Sequence, residues 1–238
     1  MKKVIMIAAM TGLFLMTAAP AMAEENENVS MEVSADVVSS YIWRGQDCGG
    51  FSIQPGATIT FNKLGISFGV WANAELFSRR QFANMTEFDL SLSWSPIEAL
   101  SVGLTDYHFC NGNYIRDWDF SGNSVHNLEV NLSYDFGPLA VAWNTCLTGF
   151  DYNAKGDRAY STYVEVSAPF KVGDVSCTGA VGILPWEDCL TSLGYNTGFN
   201  VCNLSLTAEK EIGKLPMSGQ IVYNPQTEAT YFVVGISF

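Results

Sequence analysis

From Met31 to Phe238 the side chains alternate between apolar and polar in one segment after another. In Met31–Arg44 nearly every odd position is apolar or aromatic and most even ones are polar. In Leu64–Phe77, Leu64, Ile66, Phe68, Val70, Ala72, Ala74 and Leu76 face one way, against Ser67, Gly69, Asn73 and Glu75. Phe88, Leu90, Leu92 and Trp94 alternate with Glu87, Asp89, Ser91 and Ser93, and Leu128, Val130, Leu132 and Tyr134 with Asn127, Glu129, Asn131 and Ser133. A period of two is that of a strand with one apolar face, and no segment shows a comparable helical period.

Twelve such segments can be counted: 31–44, 51–61, 64–77, 86–94, 100–109, 125–134, 139–147, 159–168, 175–184, 199–209, 215–223 and 229–238. Their connections alternate in length. Asn62-Lys63 and Asp135-Phe136-Gly137-Pro138 are short, whereas 110–124, 148–158 and 185–198 are long. An even number of roughly ten-residue strands, with short turns at one end and long loops at the other, predicts an all-β fold: a transmembrane, antiparallel, up-and-down β-barrel of about 12 strands. Both termini then lie at the short-turn, periplasmic end. A secreted β-sandwich also alternates. It gives no reason for one uniformly apolar face on every strand, and a closed barrel removes the edges that an open sheet of this size would expose.

The chain begins Met1-Lys2-Lys3, continues through an apolar run to Pro20 and reaches Ala21-Met22-Ala23 before Glu24. That is the pattern of a cleaved secretory signal. The expected organisation is therefore a signal peptide at 1–23, a short periplasmic segment at 24–30 and the barrel at 31–238. No run of about 18 apolar residues follows Ala23, so no membrane helix is predicted. Aromatic residues gather near the strand ends, Tyr41, Trp43, Phe51, Tyr160 and Tyr223 toward the long loops and Phe61, Trp94, Tyr134 and Phe238 toward the short turns. Rings of this kind suit the two interfaces of a bilayer. The alternating last strand, ending on Phe238, looks like the signal read by the barrel-assembly machinery of the outer membrane.

The stretch Ala35-Asp36-Val37-Val38-Ser39-Ser40-Tyr41-Ile42-Trp43-Arg44-Gly45-Gln46 resembles the S-D-Y-x-x-R-G opening of the TorF-type porin family of small Gram-negative outer-membrane barrels. Tyr41, Arg44 and Gly45 carry the match, and Ser40 stands where that family usually has Asp. The resemblance implies a porin-like protein in the cell outer membrane, surrounded by lipid, and names no solute.

Charge adds a reading of the interior. The chain has 24 acidic and 12 basic residues, and the signal segment holds two of the lysines and none of the acids. An acidic excess argues against a nucleic-acid partner. Strand parity turns Asp36, Glu75, Glu87, Asp89, Glu129, Glu165 and Glu209 inward, while the bases fall at the strand ends, Arg44 among them. Asp36, Asp89, Glu129 and Glu165 are then expected to lack a counter-charge at mid-depth, and carboxylates lining a wet lumen favour cations over anions. The leading function is passive diffusion of small polar, cationic solutes. The alternatives are a non-conducting structural or surface-binding barrel and an outer-membrane hydrolase. For the last, His108 and His126 are the only histidines and no G-x-S-x-G marks a nucleophile, so no catalytic residues, cofactor or metal are assigned.

Three local expectations complete the reading. Asp106 and His108 share the outward parity of Leu100, Val102 and Leu104, so either the strand has left the membrane by Asp106 or a bulge near Thr105 turns both inward. Asp151-Tyr152-Asn153-Ala154-Lys155-Gly156-Asp157 begins like a calcium loop but places Lys155 and Thr162 where oxygen ligands belong, and Asp117-Trp118-Asp119 is a second weak cation motif. Of the six cysteines, Cys48, Cys110, Cys146 and Cys189 map to the long-loop end, where disulfides could join loops, and Cys177 and Cys202 to the apolar face.

Overall fold

The computed structural model describes residues 22–25, 28–77, 84–109, 126–153, 155–188 and 198–238. The signal segment before Met22, the Asp117-Trp118-Asp119 motif, Cys110 and Cys189 lie outside the described residues. Twelve strands form the wall: β1 Val29–Val38, β2 Ser52–Phe61, β3 Ile66–Glu75, β4 Asn84–Ile97, β5 Leu100–Phe109, β6 His126–Asp135, β7 Ala140–Cys146, β8 Thr162–Val172, β9 Val175–Leu184, β10 Asn200–Ile212, β11 Leu215–Asn224 and β12 Ala229–Ser237. Each pairs antiparallel with its neighbour in sequence, and β12 pairs back onto β1. The sheet is a closed, all-β, up-and-down barrel with no helix among the described residues.

Closure is uneven. β1 matches β2 over ten residue pairs, Val29↔Phe61 to Val38↔Ser52, but meets β12 at only three, Val38↔Gly235, Val37↔Ile236 and Asp36↔Ser237. Reciprocal backbone bonds between Ala35 and Phe238 end the seam, and the free edge of β1 beyond it is taken by the short strand Met22–Glu25. The short connections are tight turns. In Gly173-Asp174, between β8 and β9, Gly173 sits at φ +62°, a conformation that glycine adopts without a Cβ penalty.

Alternation sorts the two faces. Phe68, Leu92, Leu104, Leu132, Val166, Leu206, Ile221 and Phe232 stand exposed on the outside. The outer surface also carries an apolar hollow of about 500 Å³ lined by Ile59, Phe68, Val70, Leu90, Leu92 and Leu104. Phe51, Tyr160, Tyr223, Phe61, Trp94, Tyr134 and Phe238 are likewise exposed.

The first predicted strand needs correction. It leaves the wall after Val38, and residues 41–49 form a separate two-stranded hairpin, Tyr41–Trp43 against Gln46–Gly49, on the inside of the barrel. Tyr41 and Trp43 are buried there and take no part in an outer aromatic belt. The cause is local. Ser39 still bonds β12, its N–H donating to Val234 O and its Oγ accepting from Val234 N, both at 2.9 Å. Beyond that point the chain finds partners across the lumen.

Candidate functional site

The inner hairpin turns at Arg44-Gly45, both with positive φ (+50° and +80°), in a two-residue turn closed by the Trp43↔Gln46 pair. Two left-handed central residues define the type I′ turn that matches strand twist. Arginine is an uncommon occupant of such a position, and its side chain accounts for its presence. Arg44 Nη1 and Nη2 donate to Glu129 Oε2 and Oε1, each at 2.7 Å, in a bidentate pair, with Glu129 only 1% exposed. The guanidinium also lies 4.4 Å from the ring centre of Trp43 and 4.8 Å from that of Tyr163. Burial works against the charge of Arg44, but Glu129, Tyr107 and Tyr163 together outweigh it and hold the guanidinium pKa above its ordinary value.

Glu129 is held in turn by the wall. Its Oε1 accepts from Tyr107 Oη at 3.1 Å and from Asn131 Nδ2 at 2.8 Å. Asn131 accepts from Thr105 Oγ1 and donates to Asn144 Oδ1, so the network spans β5, β6 and β7. A buried ion pair survives only when its remaining polar atoms are satisfied, and here β-strand parity aims all of these side chains at one point. The expectation that Glu129 lacks a counter-charge is therefore overturned: its partner comes from the hairpin, which brings Arg44 from the loop end into the barrel.

The hairpin touches the opposite wall as well. Asn224 Nδ2 donates to Gly45 O at 3.0 Å, and a Cβ on Gly45 would stand 1.9 Å from Cys202 O. Only glycine fits that approach. Ile42 packs with Val38, Val222 and Val233, and Tyr41 and Trp43 pack with Tyr107 and Trp71. Cys202, expected on the outer face, is 0% exposed and clusters with Tyr163 and Leu184. A register shift opposite Gly182/Ile183 adds one residue to β10 and turns Cys202 inward. Cys177 does face outward, opposite Phe170. Cys48, Cys146, Cys177 and Cys202 are all free thiols, so none of these four joins a loop by a disulfide.

The other inward acids are distributed unequally. Asp36 accepts from Ser237 Oγ, Glu75 from Gly50 N at 3.3 Å, and Glu165 from Tyr163 Oη and Asn203 Nδ2. These three carboxyl residues are half-buried. Glu87 and Asp89 are almost fully buried beside the hairpin, Glu87 facing Tyr41, and neither has a cationic partner within salt-bridge distance among the described residues. Around the hairpin nearly every inward side chain is buried; toward the short turns Ser167, Thr178, Ala180, Ser205, Thr207 and Gln220 become half-buried. The interior is thus packed at hairpin level, and toward the short turns burial is mixed, with Ser101, Ser133, Ser218 and Ser237 still buried.

Asp106, His108 and His126 occupy the outer face. Pairing runs without a shift from Leu104↔Val130 to His108↔His126, so no bulge turns them inward. His126 Nδ1 lies 2.8 Å from Asp106 Oδ2, and the two imidazoles stack at 4.3 Å. Asp151, in the calcium-like loop, instead accepts from Ser161 N, and Asn153 Oδ1 accepts from Lys155 N and Asp157 N. Those oxygens organise the loop itself, and burial raises the Asp151 pKa.

No protein-family model and no curated protein matches this chain. Among solved structures, it is similar to a doubly substituted mutant of the Rh. blastica porin at 14% identity, over 91% of this chain and 75% of that one, with a TM-score of 0.40. It is also similar to Salmonella typhi OmpF in complex with daunomycin at 9% identity, over 91% and 99% of the respective chains, with a TM-score of 0.36.

Proposed function

We propose that this chain is a porin-like barrel of the Gram-negative outer membrane, allowing small polar solutes, cations in preference, to diffuse through its lumen. The observation that carries this reading is the sorting of faces: a closed twelve-strand wall with an apolar exterior and a polar, acidic interior. So much exposed apolar surface is a liability in water and a requirement in lipid, where only helices and closed barrels satisfy every backbone group. The termini then lie on the periplasmic side with the short turns, and the strand ending at Phe238 is the segment offered to the assembly machinery. Tyr41, Arg44 and Gly45 support kinship with the TorF-type porins. Cation preference follows from charge: Arg44 neutralises Glu129, while the half-buried Asp36 and Glu165 have no basic partner among the described residues.

One observation favours a second reading, a non-conducting barrel: the hairpin and the buried side chains around it fill the lumen at their level. Planar-bilayer recording of the purified protein separates the two. Channel events with a reversal potential on the cation side are expected in a salt gradient. Anion preference would remove the carboxylate rationale, and silence from both the native barrel and one with residues 41–49 replaced by a short Gly/Ser link would leave the non-conducting reading. The membrane location has its own test. Leu92→Arg, on the exposed outer face, is expected to lower stability in lipid by about 2–4 kcal/mol, measured by denaturant unfolding in vesicles; an effect near zero would argue that this face meets water.

A further inference from the structure

Resting on the porin-like reading, we infer that the inner hairpin Tyr41–Gly49 is a hinged plug and the Arg44–Glu129 pair is its latch. Three observations carry this. The hairpin forms a two-stranded sheet of its own and shares no strand ladder with the wall, so it can leave the lumen as a unit without breaking a ladder bond of the barrel. Its stems are small residues, Ser39-Ser40 on one side and Gly49-Gly50 on the other. Its arm packs on the wall through Tyr41, Ile42 and Trp43, and the polar fastening of its tip is confined to Arg44 on Glu129 of β6 and Gly45 on Asn224 of β11, with Gly45 also against Cys202 of β10.

The anchors lie on opposite sides of the lumen, so the tip bridges the barrel where its interior is most tightly packed. Ser167, Thr178, Ser205 and Thr207, toward the short turns, are half-buried beneath it. Undocking the tip toward the long-loop end would clear the lumen at hairpin level. Latching by a bidentate ion pair suits a plug, because two buried charges hold firmly in one geometry and lose most of their attraction once water reaches them.

Cys202 reports on the motion: it is 0% exposed, Gly45 lies against its backbone carbonyl, and Tyr163, which clusters with it, lies under the Arg44 guanidinium. In a background where the other five cysteines are serine, the rate of Cys202 modification by a water-soluble maleimide is measured beside bilayer conductance. The variants are Arg44→Ala, Arg44→Gln and Glu129→Gln, each first shown to be folded by circular dichroism. Modification is expected to be about a hundredfold faster in the unlatched barrels than in the latched one, as befits removal of one member of a buried pair, and conductance should rise with it. Equal modification rates in latched and unlatched barrels would overturn the plug. Faster modification without conductance in any variant would uphold the plug and defeat the porin reading. Equal conductance in all variants with Cys202 protected would do the reverse. If no arginine variant folds, Glu129→Gln, which keeps an acceptor for Tyr107, carries the comparison alone.

Discussion

Glu129→Ala is expected to cost the closed barrel about 3–5 kcal/mol, the usual effect of leaving one member of a buried ion pair alone. Alanine would strand the Arg44 guanidinium between Trp43 and Tyr163 and remove the acceptor of Tyr107 and Asn131. The measurement is the denaturant midpoint of the folded barrel in lipid or detergent, followed by tryptophan fluorescence. Because the hairpin has no ladder with the wall, the fall in global stability is capped by the free energy of undocking it. A loss that stops short of about 3 kcal/mol, together with an exposed Cys202 thiol, therefore measures that cap. The double variant Arg44→Met, Glu129→Leu separates charge from packing. Apolar replacement of a whole buried pair is often close to neutral, so it should recover most of the loss. If the double variant is as damaged as Glu129→Ala, the cause is the network around Glu129 and the ion pair is incidental.

The second large effect is expected at Gly45. A side chain there meets two costs, a left-handed backbone worth about 1–2 kcal/mol and a Cβ placed 1.9 Å from Cys202 O. The blocking atom belongs to the backbone of β10, at the residue that the register shift sets between the ladder pairs of Val201 and Asn203, so either that bulge or the hairpin has to move. Gly45→Ala should therefore undock the hairpin with every charge left in place. Gly173→Ala is the control, for Gly173 also has a positive φ (+62°) but open space where its Cβ would stand, and only the backbone cost applies. Stability measured for both variants should show a clearly larger loss at Gly45, accompanied there alone by faster Cys202 modification. Similar losses at the two sites would mean that the hairpin tip is not pressed against β10.

The barrel was legible because a strand with one apolar face writes its period directly into the sequence. All twelve wall strands fall within or close to the segments that alternate, although three of them, ending at Ile97, Val172 and Ile212, run three or four residues past the expected ends at 94, 168 and 209. The inner hairpin was not legible in that way. Tyr41 and Trp43 continue the odd parity of Met31 to Val37 across Ser39-Ser40, so a change of direction leaves no mark on the alternation. The available signal was turn chemistry: Arg44-Gly45 between two short apolar-containing arms, followed by Gly49-Gly50, fits a hairpin better than the end of a wall strand. The partner of Glu129 could not be found by counting bases along strands, because a loop delivered it. At Cys202 parity failed for a different reason. One extra residue in β10 reverses the facing of its neighbours across the bulge, and Asn200 and Asn203, three apart and both polar, were the trace of it.

The seam between β12 and β1 holds three residue pairs where the β1–β2 contact holds ten. A cylinder with one shallow joint splits there under load, and the hairpin sits directly behind that joint. Ile42 packs at once on Val38 of β1, Val222 of β11 and Val233 of β12. The hairpin proposed as a plug thus also acts as a clasp across the wall. A barrel that swings it fully aside does so with its seam unsupported, which sets a mechanical limit on how wide, and for how long, it can stand open.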